Sequence, residues 1–428
     1  MRVLVLGALG FIGRQIVAAL VAEGHTVLAG VRAERVGALP PGVTAVAVDL
    51  QRDVDPAAWL PRLAGVDAVV NAAGLLKGSA ALLDAVHRQA PLALARAAAE
   101  LGLQRLVQIS ALGDPADGDF IASKHAADAA LLECALPVTV LRPSLVYALA
   151  GSYGGSSLLR ALAAAPGLQP LPGRGRQPVQ PVHVRDLAAL VVAALQAPPA
   201  QRGIWTVVGP ERMSIADYLK ALRRWLGYAP AWPLPVPPVL LRVAGALGEG
   251  GEGPLGRTLV RMVARGNAGT LEDHARLQQD FGLAPAPLAH WMAREPSQVQ
   301  DRWHARLYPL APTLRVALGL LCLLSAVAGF AQSPAQIRAL ATPLGWPDAL
   351  AWTLGYGGSA LDALLGAMLL CQWQARRAAR ALLAMVTAYT VVLGSGLPLL
   401  WLDPWGGLAK NLVVLPAILV WLVLADRR

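Results

Sequence analysis

The chain has 428 residues, 55% of them hydrophobic, and its mean hydropathy of +0.49 excludes a purely soluble protein. The formal net charge is +10, but no basic run with interleaved aromatic residues occurs, so an anionic membrane surface and a phosphorylated ligand are favoured over nucleic acid. Its three cysteines lie far apart without metal-ligand spacing, which supports neither a disulfide framework nor a zinc site.

The opening stretch, Met1 to Arg35, predicts a strand, a glycine-rich loop, a helix and a second strand. The apolar run Val3-Leu4-Val5-Leu6 leads directly into Gly7-Ala8-Leu9-Gly10-Phe11-Ile12-Gly13. We expect Gly7 to turn the chain off the strand, Gly10 to let the backbone approach a pyrophosphate, and Gly13 to let the helix pack closely on the sheet. The anion would lie at the helix N-terminus, where the helix dipole favours negative charge. A signal peptide is the alternative reading of the apolar run, and the strand-helix units that follow argue against it.

Strands alternate with helices up to residue 144. The third strand ends at Asp49-Leu50, and the fourth runs into Asn71-Ala72-Ala73-Gly74. A long helix at 82–101 precedes the fifth strand, 105–110, and a helix at 120–134 precedes a sixth strand that ends at Arg142-Pro143-Ser144. This alternation predicts an α/β fold with a doubly wound, parallel sheet of the Rossmann type, whose ligand lies at the C-terminal ends of the strands.

The pattern loosens after residue 148 and predicts a small lid region. It contains Gly/Pro-rich loops around 181–186, a short strand at 205–208, and a helix opened by Ser214 with Asp217 three residues on. Prolines at 230–238 and glycines at 248–256 predict a connector with short helices, and the cluster Trp303, Arg306 and Tyr308 predicts an interfacial anchor. The predicted domains are therefore 1–230, 231–312 and 313–428.

Four apolar runs beyond residue 314 predict an all-α, four-helix transmembrane domain: 316–330, 349–371, 381–401 and about 408–424. Each is long enough, or nearly so, for a hydrocarbon core of ~30 Å at about 1.5 Å per residue. The alternative to membrane-spanning helices is that these runs form the buried helices of a soluble domain. Eight basic residues lie before the first run, in the loop after the second run and at the end of the chain, whereas the other two loops hold only Arg338 and Lys410. This asymmetry predicts a multi-pass protein of the inner (cytoplasmic) membrane with both termini and the nucleotide domain in the cytoplasm. The eight are Arg302, Arg306, Arg315, Arg376, Arg377, Arg380, Arg427 and Arg428.

Asp362 lies in the middle of the second apolar run. A carboxylate at that depth costs at least ~2.5 kcal/mol and should face a partner or a polar cavity. Lys410, Asn411 and Tyr389 are the candidate partners, and packing against a polar neighbouring helix is the alternative.

Several motifs together make residues 1 to about 230 resemble an extended or atypical short-chain dehydrogenase/reductase. Beside the glycine loop and Asn71-Ala72-Ala73-Gly74, they are Ile109-Ser110-Ala111-Leu112-Gly113, Ser123-Lys124 and Leu141-Arg142-Pro143-Ser144-Leu145-Val146-Tyr147. The Ser-Ala-Leu-Gly after the fifth strand resembles the branch that includes the NADPH-binding accessory subunit of respiratory complex I and its bacterial relatives. The last quarter, with Asp403-Pro404 and Lys410-Asn411-Leu412, resembles the DoxX-like four-helix membrane family.

The resemblance implies a bound nicotinamide dinucleotide. NAD-selective relatives usually hold an acid where this chain has Val31, and the guanidinium of Arg32 suits a 2′-phosphate, so NADP is expected; NAD stays open if Glu34 turns toward the ribose. Asp49 would either contact adenine or cap the following loop. His183 is expected to position the lid, and His87 to be a surface or capping residue. The implied cofactor-binding residues are Gly7, Gly10, Phe11, Ile12, Gly13, Arg32, Arg35, Asp49, Leu50, Ala72, Ala73, Gly74, Ser110, Lys124, Pro143 and Ser144.

The catalytic positions depart from the pattern of active relatives. Those relatives use a Tyr-x-x-x-Lys pair in which the ammonium lowers the pKa of the phenol for proton transfer. Here the spacing gives Phe120 and Lys124, and the position of the assisting Ser/Thr is Ala111. Lys124 and Ser110 are the catalytic candidates, and Ser110, Ser123, Tyr147 or the substrate would have to replace the missing phenol.

The sequence is compatible with two functions. The first is a membrane-tethered NAD(P)H-dependent oxidoreductase that acts on a lipophilic carbonyl or quinone-like substrate delivered from the bilayer. The second is a non-catalytic, NADPH-loaded structural, redox-sensing or assembly protein for a membrane complex. The expected partners are the dinucleotide, the lipid bilayer, and either that substrate or that complex, and no metal or nucleic acid is expected.

Overall fold

The computed structural model describes residues 1–151, 153–197, 201–251, 253, 255–404 and 406–426. The chain divides into two compact units, Met1–Trp303 and His304–Arg428. The domain boundaries expected after residues 230 and 312 stay predictions. Arg427 and Arg428, which contribute to the predicted orientation, lie outside the described residues.

The strands of the first unit form one large sheet and three two-stranded ladders. The large sheet has the order β11-β6-β5-β4-β1-β2-β3, and every neighbouring pair is parallel. The strands are β1 (Arg2–Leu6), β2 (Thr26–Val31), β3 (Thr44–Ala47), β4 (Ala68–Asn71), β5 (Arg105–Ile109), β6 (Val138–Pro143), β7 (Val146–Tyr147), β8 (Leu168–Pro172), β9 (Pro178–Val179), β10 (Val182–His183), β11 (Gly203–Val207), β12 (Met213–Ser214) and β13 (Trp232–Val236).

The described helices of the first unit cover both faces of this sheet and build the lid. They are α1 (Phe11–Ala22), α2 (Ala80–Asp84), α3 (Ala90–Glu100), α4 (Asp119–Leu132), α5 (Gly154–Ala164), α6 (Val184–Gln196), α7 (Ile215–Trp225), α8 (Pro238–Gly248), α9 (Arg257–Arg265), α10 (Leu271–Phe281) and α11 (Leu288–Arg294). The predicted helix at 82–101 is present as α2 and α3 joined by a π-helical turn, Ala85–Gln89.

The sheet confirms the predicted doubly wound fold. The chain winds from β1 to β2 and β3 in one direction, and from β4 to β5, β6 and β11 in the other. The order therefore reverses between β1 and β4, which is the place where such sheets open a crevice at the C-terminal ends of the strands. Val3 and Val5 pack with α1 and α6 on one face, and Leu4 and Leu6 pack with α3 on the other. Burial on both faces explains the uninterrupted apolar run of β1.

The short strand expected in the lid is in fact the edge of the main sheet, where β11 pairs in parallel with β6. Trp205 and Val207 of β11 are buried in the core, and this burial drives the strand onto the sheet. The capping prediction for the next helix is confirmed, since the Ser214 hydroxyl accepts from the Asp217 backbone N–H.

The segment expected as a connector belongs to the first unit up to Trp303 and packs on its nucleotide-binding fold. The Trp205 indole donates to Asp280 in α10 at 2.7 Å, and the Trp291 indole in α11 donates to Asp186 at 2.8 Å. Tertiary contacts of this kind, which have no local sequence signature, place 231–303 with the nucleotide domain.

The second unit is helical. It contains most of α12 (Val299–Phe330), followed by α13 (Pro334–Ala341), α14 (Asp348–Leu370), α15 (Ala375–Gly396) and α16 (Asn411–Leu424). Among the described residues α12, α14 and α15 are long and apolar enough to cross a membrane. The fourth predicted span forms α16, whose 14 residues extend about 21 Å, less than the ~30 Å of a hydrocarbon core. The four-span topology therefore stays a prediction.

Small residues let the helices of the second unit approach closely. A Cβ at Gly366 in α14 would lie 2.9 Å from the Gly319 carbonyl oxygen in α12, which is the kind of contact that small residues permit between helices in lipid. Asn411 donates to the Thr390 hydroxyl at 2.8 Å, and the Tyr389 hydroxyl lies against Gly358, one turn before Asp362. A role for Asp362 stays a prediction.

Candidate functional site

The glycine loop between β1 and α1 has no room for side chains at two of its three glycines. Gly7 has a φ of +70°, and a Cβ there would lie 2.8 Å from the Ala73 backbone nitrogen. A Cβ at Gly13 would lie 2.0 Å from the Gly7 carbonyl oxygen. The loop backbone is thus packed against both the β4 loop and the first turn of α1, as a pyrophosphate cradle requires. Gly10 is the N-cap of α1 and has no side-chain cap, so the first N–H groups of that helix have no partner within the helix itself.

Lys124 on α4 reaches from the helix to the sheet edge. Its Nζ donates to the carbonyls of Ala73 at 2.9 Å and Ile109 at 3.0 Å, at the ends of β4 and β5. The side chain is 4% exposed, and this burial lowers the pKa of the ammonium to about 8, with nearby Asp128 opposing the shift. Because an ammonium has three N–H bonds, two donations to carbonyls leave one for a ligand hydroxyl.

Gly74 is the third residue of the small-residue turn after β4. A Cβ at this position would lie 3.1 Å from Lys124 Nζ, so a larger residue would displace the ammonium. Ala72, two residues before Gly74, extends the sheet because its backbone N–H donates to the Leu6 carbonyl at 3.1 Å. The structure thus brings the glycine loop, the Ala72-Ala73-Gly74 turn and Lys124 together at the reversal of strand order.

Ser110, the second catalytic candidate, points into a buried ion pair. Its hydroxyl donates to Asp128 Oδ2 at 2.7 Å, and the Arg142 guanidinium donates to the same oxygen at 2.8 Å. Asp128 is fully buried. With its proton held by a carboxylate, Ser110 is arranged to fix the start of the 110–113 loop, and its catalytic role stays a prediction.

His87 is buried, so the expectation of a surface residue is wrong. Its Nε2 accepts from the Leu75 backbone N–H at 3.0 Å, so the neutral ring carries its proton on Nδ1, which lies 2.7 Å from the Ser123 hydroxyl. Ser123 in turn donates to the Phe120 carbonyl at 3.1 Å. Burial, followed by the charge of Lys124, lowers the pKa of His87 to about 3.

Phe120 occupies the place of the missing tyrosine. Its ring packs edge-on against the His87 ring, with centroids 5.7 Å apart. His87 donates a hydrogen bond to Ser123 and stays neutral, so it cannot act as the base that deprotonates Ser123. The place beside Lys124 is therefore walled by an aromatic ring without an acid or base.

Tyr147 is a poor replacement for the missing phenol. Its ring is buried edge-on against His183, with centroids 5.0 Å apart, and its hydroxyl has no hydrogen-bond partner within the described residues. Burial raises the pKa of this phenol, so it holds its proton at physiological pH. Neighbouring Ser144 donates to the Gln180 carbonyl, and the Pro143 carbonyl accepts from Leu112 at 3.0 Å. These two residues tie the 110–113 loop and the lid to β6.

The rim beyond β2 and β3 carries the remaining predicted cofactor residues. Arg32 and Glu34 are both exposed, with Nε and Oε1 3.7 Å apart, and Arg35 is exposed on the same turn. Asp49 accepts from the Gln51 backbone N–H at 3.1 Å, so of its two expected roles the structure shows the loop cap. Its contact with adenine stays a prediction, as does the cofactor contact of half-buried Leu50.

The 181–186 motif fastens the lid to the segment that follows it. His183 stacks on Trp291 at 3.9 Å between centroids, and Arg185 lies 3.1 Å from Glu295. Burial lowers the pKa of His183 to about 3, so the ring is neutral. The structural role expected for His183 agrees with these contacts.

Two members of the site were missed from the sequence. His87 lies four residues after buried Leu83 and three before buried Ala90, so its helical spacing already placed it on the core face. Asp128 lies one helical turn after Lys124, and this spacing predicts that both point to the same sheet edge.

Comparison with known proteins places both parts of the chain. The model of the NAD dependent epimerase/dehydratase family matches residues 3–209, and that of the DoxX-like family matches residues 316–419. The chain is 30% identical over 233 residues to the (4-alkanoyl-5-oxo-2,5-dihydrofuran-3-yl)methyl phosphate reductase of Streptomyces griseus, covering 53% of this chain and 74% of the relative. It is 26% identical over 232 residues to the photosystem II assembly factor Ycf39 of Synechocystis, covering 53% and 68%.

Solved structures share the fold of the first unit. The Bordetella bronchiseptica enzyme WbmG in complex with NAD aligns with a TM-score of 0.53 at 17% identity, over 71% of this chain and 95% of that one. MoeE5 in complex with UDP-glucuronic acid and NAD aligns with a TM-score of 0.54 at 19% identity, over 71% and 100%. The resemblance to the complex I accessory branch stays a prediction. The chain belongs to the NAD-dependent epimerase/dehydratase family of nicotinamide-dinucleotide-binding proteins, with a DoxX-like domain after the nucleotide-binding fold.

Proposed function

We propose that the protein is a membrane-anchored, NADPH-dependent reductase of a lipophilic acceptor, a conjugated carbonyl or a quinone, that takes its proton from water. The observation that carries this proposal is Lys124, held at the ends of β4 and β5 beside Phe120. The cofactor-holding lysine is in place, while the side chain that would protonate a simple ketone is replaced by an apolar ring.

The glycine loop and Lys124 fit a dinucleotide, and a bound nicotinamide would supply a hydride. Gly7 and Gly13 shape the cradle for the pyrophosphate, and the remaining N–H of Lys124 would bind the ribose. Phe120 would shield the acceptor from water on one side. A hydride delivers two electrons and one hydrogen, so the acceptor needs one further proton.

Three side chains that could replace the missing phenol are not suited to give that proton. Ser110 donates to Asp128, His87 stays neutral and donates to Ser123, and Tyr147 is buried. A simple ketone would form a strongly basic alkoxide, which needs an acid in the site. A quinone or a conjugated carbonyl forms a delocalised anion, which can wait for a proton from water. The acceptor class follows from this difference.

Arg32 and Arg35 support NADPH over NADH. Both side chains are exposed at the end of β2, where the adenosine ribose would lie, and each guanidinium can donate to a 2′-phosphate. Glu34 is also exposed and is loosely paired with Arg32, so it competes only if it leaves that pair.

Three long apolar helices support anchoring in the membrane. We place the protein in the inner membrane with the nucleotide domain in the cytoplasm, where NADPH is available and where most of the flanking arginines would lie. The short α16 would have to tilt little and thin the bilayer locally to span.

A second candidate is a non-catalytic, NADPH-loaded protein that serves a membrane complex. Phe120 and Ala111 remove both hydroxyls that active relatives use, which favours binding without turnover. One curated relative is named as an assembly factor and the other as a reductase, so both classes occur among similar proteins.

The test is anaerobic binding followed by a single turnover. Full-length protein is loaded with NADPH or NADH, and its affinity for each is measured. The loaded protein is then mixed with a quinone, a conjugated carbonyl, a simple ketone and a membrane lipid extract. Oxidation of bound NADPH by a quinone or conjugated carbonyl, and not by the ketone, is expected. Tight binding without oxidation by any acceptor would support the non-catalytic candidate instead.

A further inference from the structure

Helix α8 is an apolar helix that the first unit leaves uncovered. It is one of the shorter apolar helices of the described chain, as is α1. The two differ in burial: α1 buries Gly13, Ile16, Val17 and Leu20 in the core, whereas α8 buries Gly245 alone. An apolar sequence therefore makes a core helix in one place and an exposed helix in the other.

The exposed large hydrophobic residues of α8 form one stripe, which we call the α8 stripe: Val239, Leu240, Val243 and Leu247. At about 100° per residue these four positions fall within roughly 100° of the helix surface. Gly245 lies on the opposite side, where a Cβ would be 2.9 Å from Val260 of α9. Leu247 is 81% exposed, so the stripe faces outward along the whole helix.

An exposed tryptophan lies six residues before α8. Trp232 in β13 is 79% exposed, and its partner in the parallel ladder is Leu168 of β8, which is also exposed. Exposed apolar patches larger than a few hundred Å² commonly mark interaction sites. Tryptophan is enriched where protein meets the membrane–water interface.

Positive charge borders the stripe. Residues 238–265 contain four arginines against two glutamates, a net charge of +2. Arg242 of α8 and Arg257 and Arg261 of α9 are exposed. An apolar face flanked by arginines is the composition of a helix that lies in the interface of an anionic bilayer.

The α8 and α9 segment is hydrogen-bonded to loops beside the site. Lys77, three residues after Gly74, donates to the Gly248 carbonyl at the end of α8 at 2.6 Å. Arg265 of α9 donates to Asp117 at 2.8 Å, and Asp117 lies three residues before Phe120. The segment is thus fastened to the two loops that flank Lys124 and Phe120.

We infer that the α8 stripe binds the surface of an anionic phospholipid bilayer and so opens the site toward the membrane. Later helices of the same chain are long enough to span a membrane, so a bilayer is within reach of this surface by covalent linkage. The membrane contact stands apart from the proposed function. Its consequence, that a lipophilic acceptor reaches the site from the side of the α8–α9 segment, rests on that function.

The test uses full-length protein in nanodiscs that contain anionic lipid. The native cysteines are replaced (Cys134→Ser, Cys322→Ala, Cys371→Ser), and an environment-sensitive fluorophore is attached at Leu247→Cys. The matched control is Leu101→Cys, an exposed leucine before β5 and hence at the N-terminal ends of the strands, away from the site at their C-terminal ends. Lipids that carry a nitroxide near the headgroup should quench the probe at 247 at least about twofold more than the probe at 101, because an interfacial helix lies roughly 5–10 Å into the headgroup boundary.

Removing positive charge near the stripe provides a second test. The excess quenching at 247 should fall when Arg242→Glu and Arg261→Glu are combined, or when the lipid is zwitterionic. Equal quenching at 247 and 101 would overturn the inference. So would a probe at 247 that is shielded from an aqueous quencher but not quenched by lipid, since protein would then cover the stripe.

Turnover separates this inference from the proposed function. The double variant Leu240→Glu and Leu247→Glu should keep NADPH affinity and reduction of a water-soluble quinone, and should slow reduction of a quinone confined to the bilayer. If the wild-type protein reduces no acceptor, the proposed function fails while the quenching result stands.

Discussion

Replacing Lys124 with methionine tests the centre of the site, because the two side chains have similar length and only one has a charge. The change removes an ammonium that donates to Ala73 and Ile109 at 2.9 and 3.0 Å and that would donate its third N–H to the cofactor ribose. A hydrogen bond from a charged group contributes about 1.5–3 kcal/mol, so NADPH should bind about tenfold to more than a hundredfold more weakly. Folding stability should change little, since removing a buried charge offsets the two lost hydrogen bonds.

The assay is calorimetric titration of NADPH into wild-type and Lys124→Met protein, with thermal unfolding of both. Lys220→Met is the matched control, because Lys220 is exposed and pairs only with Asp217 on the surface of α7. Its NADPH affinity should equal that of the wild type. Undiminished NADPH affinity in Lys124→Met would refute the assignment of this lysine to the cofactor.

The depressed pKa of Lys124 adds a pH signature. Burial lowers it from 10.5 to about 8, so the native state holds fewer protons than the unfolded state between those values, and the stability of the ligand-free protein should rise with pH across that window. NADPH affinity should fall as pH rises through about 8, because the neutral amine has two N–H bonds and both are given to carbonyls. Lys124→Met should lose both dependences. A wild-type affinity that is flat from pH 7 to pH 9, values chosen to span about one unit on each side of the pKa, would contradict this reasoning.

Four further predictions follow from single positions. Gly13→Ala places a Cβ 2.0 Å from the Gly7 carbonyl and should lower stability by about 1–3 kcal/mol and abolish NADPH binding, whereas Gly37→Ala, with open space around it, should be neutral in the same melts and titrations. Phe120→Tyr, assayed with simple ketones, should gain NADPH-dependent reduction if only the phenol is lacking; ketone reduction by the wild type at ordinary rates would show that the proton donor is misplaced. Arg32→Ala should reduce the preference for NADPH over NADH by about tenfold or more, and an unchanged ratio would refute the 2′-phosphate contact. A reporter inserted after Gly345, in the loop between α13 and α14, should respond as external; a cytoplasmic response would mean that α12 does not span.

Local sequence signals were sufficient for the nucleotide-binding fold. The run Val3 to Leu6 is apolar at every position because both faces of β1 are buried, and the glycines after it are required by contacts as short as 2.0 Å. The Ser214 side chain caps its helix by accepting from the backbone N–H of Asp217, three residues on. Each of these features depends on neighbours in the chain, so the sequence pattern carries it.

Features that depend on distant contacts were not predicted. Residues 231–303 pack on the nucleotide-binding fold through pairs such as Trp291 with Asp186, which are 105 residues apart. The burial of His87 depends on the Leu75 N–H and Ser123, and the engagement of Ser110 depends on Asp128 and Arg142. The exposure of α8 is also non-local, because its composition alone matches that of a core helix.

The most direct test of the proposed reductase is the fate of bound NADPH in a membrane. Full-length protein in nanodiscs is loaded with NADPH without oxygen, and a lipophilic quinone is added while the absorbance of reduced nicotinamide is followed. The proposal predicts a single-turnover loss of that absorbance in the wild type, and none when Gly13→Ala protein is mixed with the same amount of NADPH, because that variant should not bind it. A wild-type protein that binds NADPH tightly and keeps it reduced in the presence of both quinones and conjugated carbonyls would contradict it.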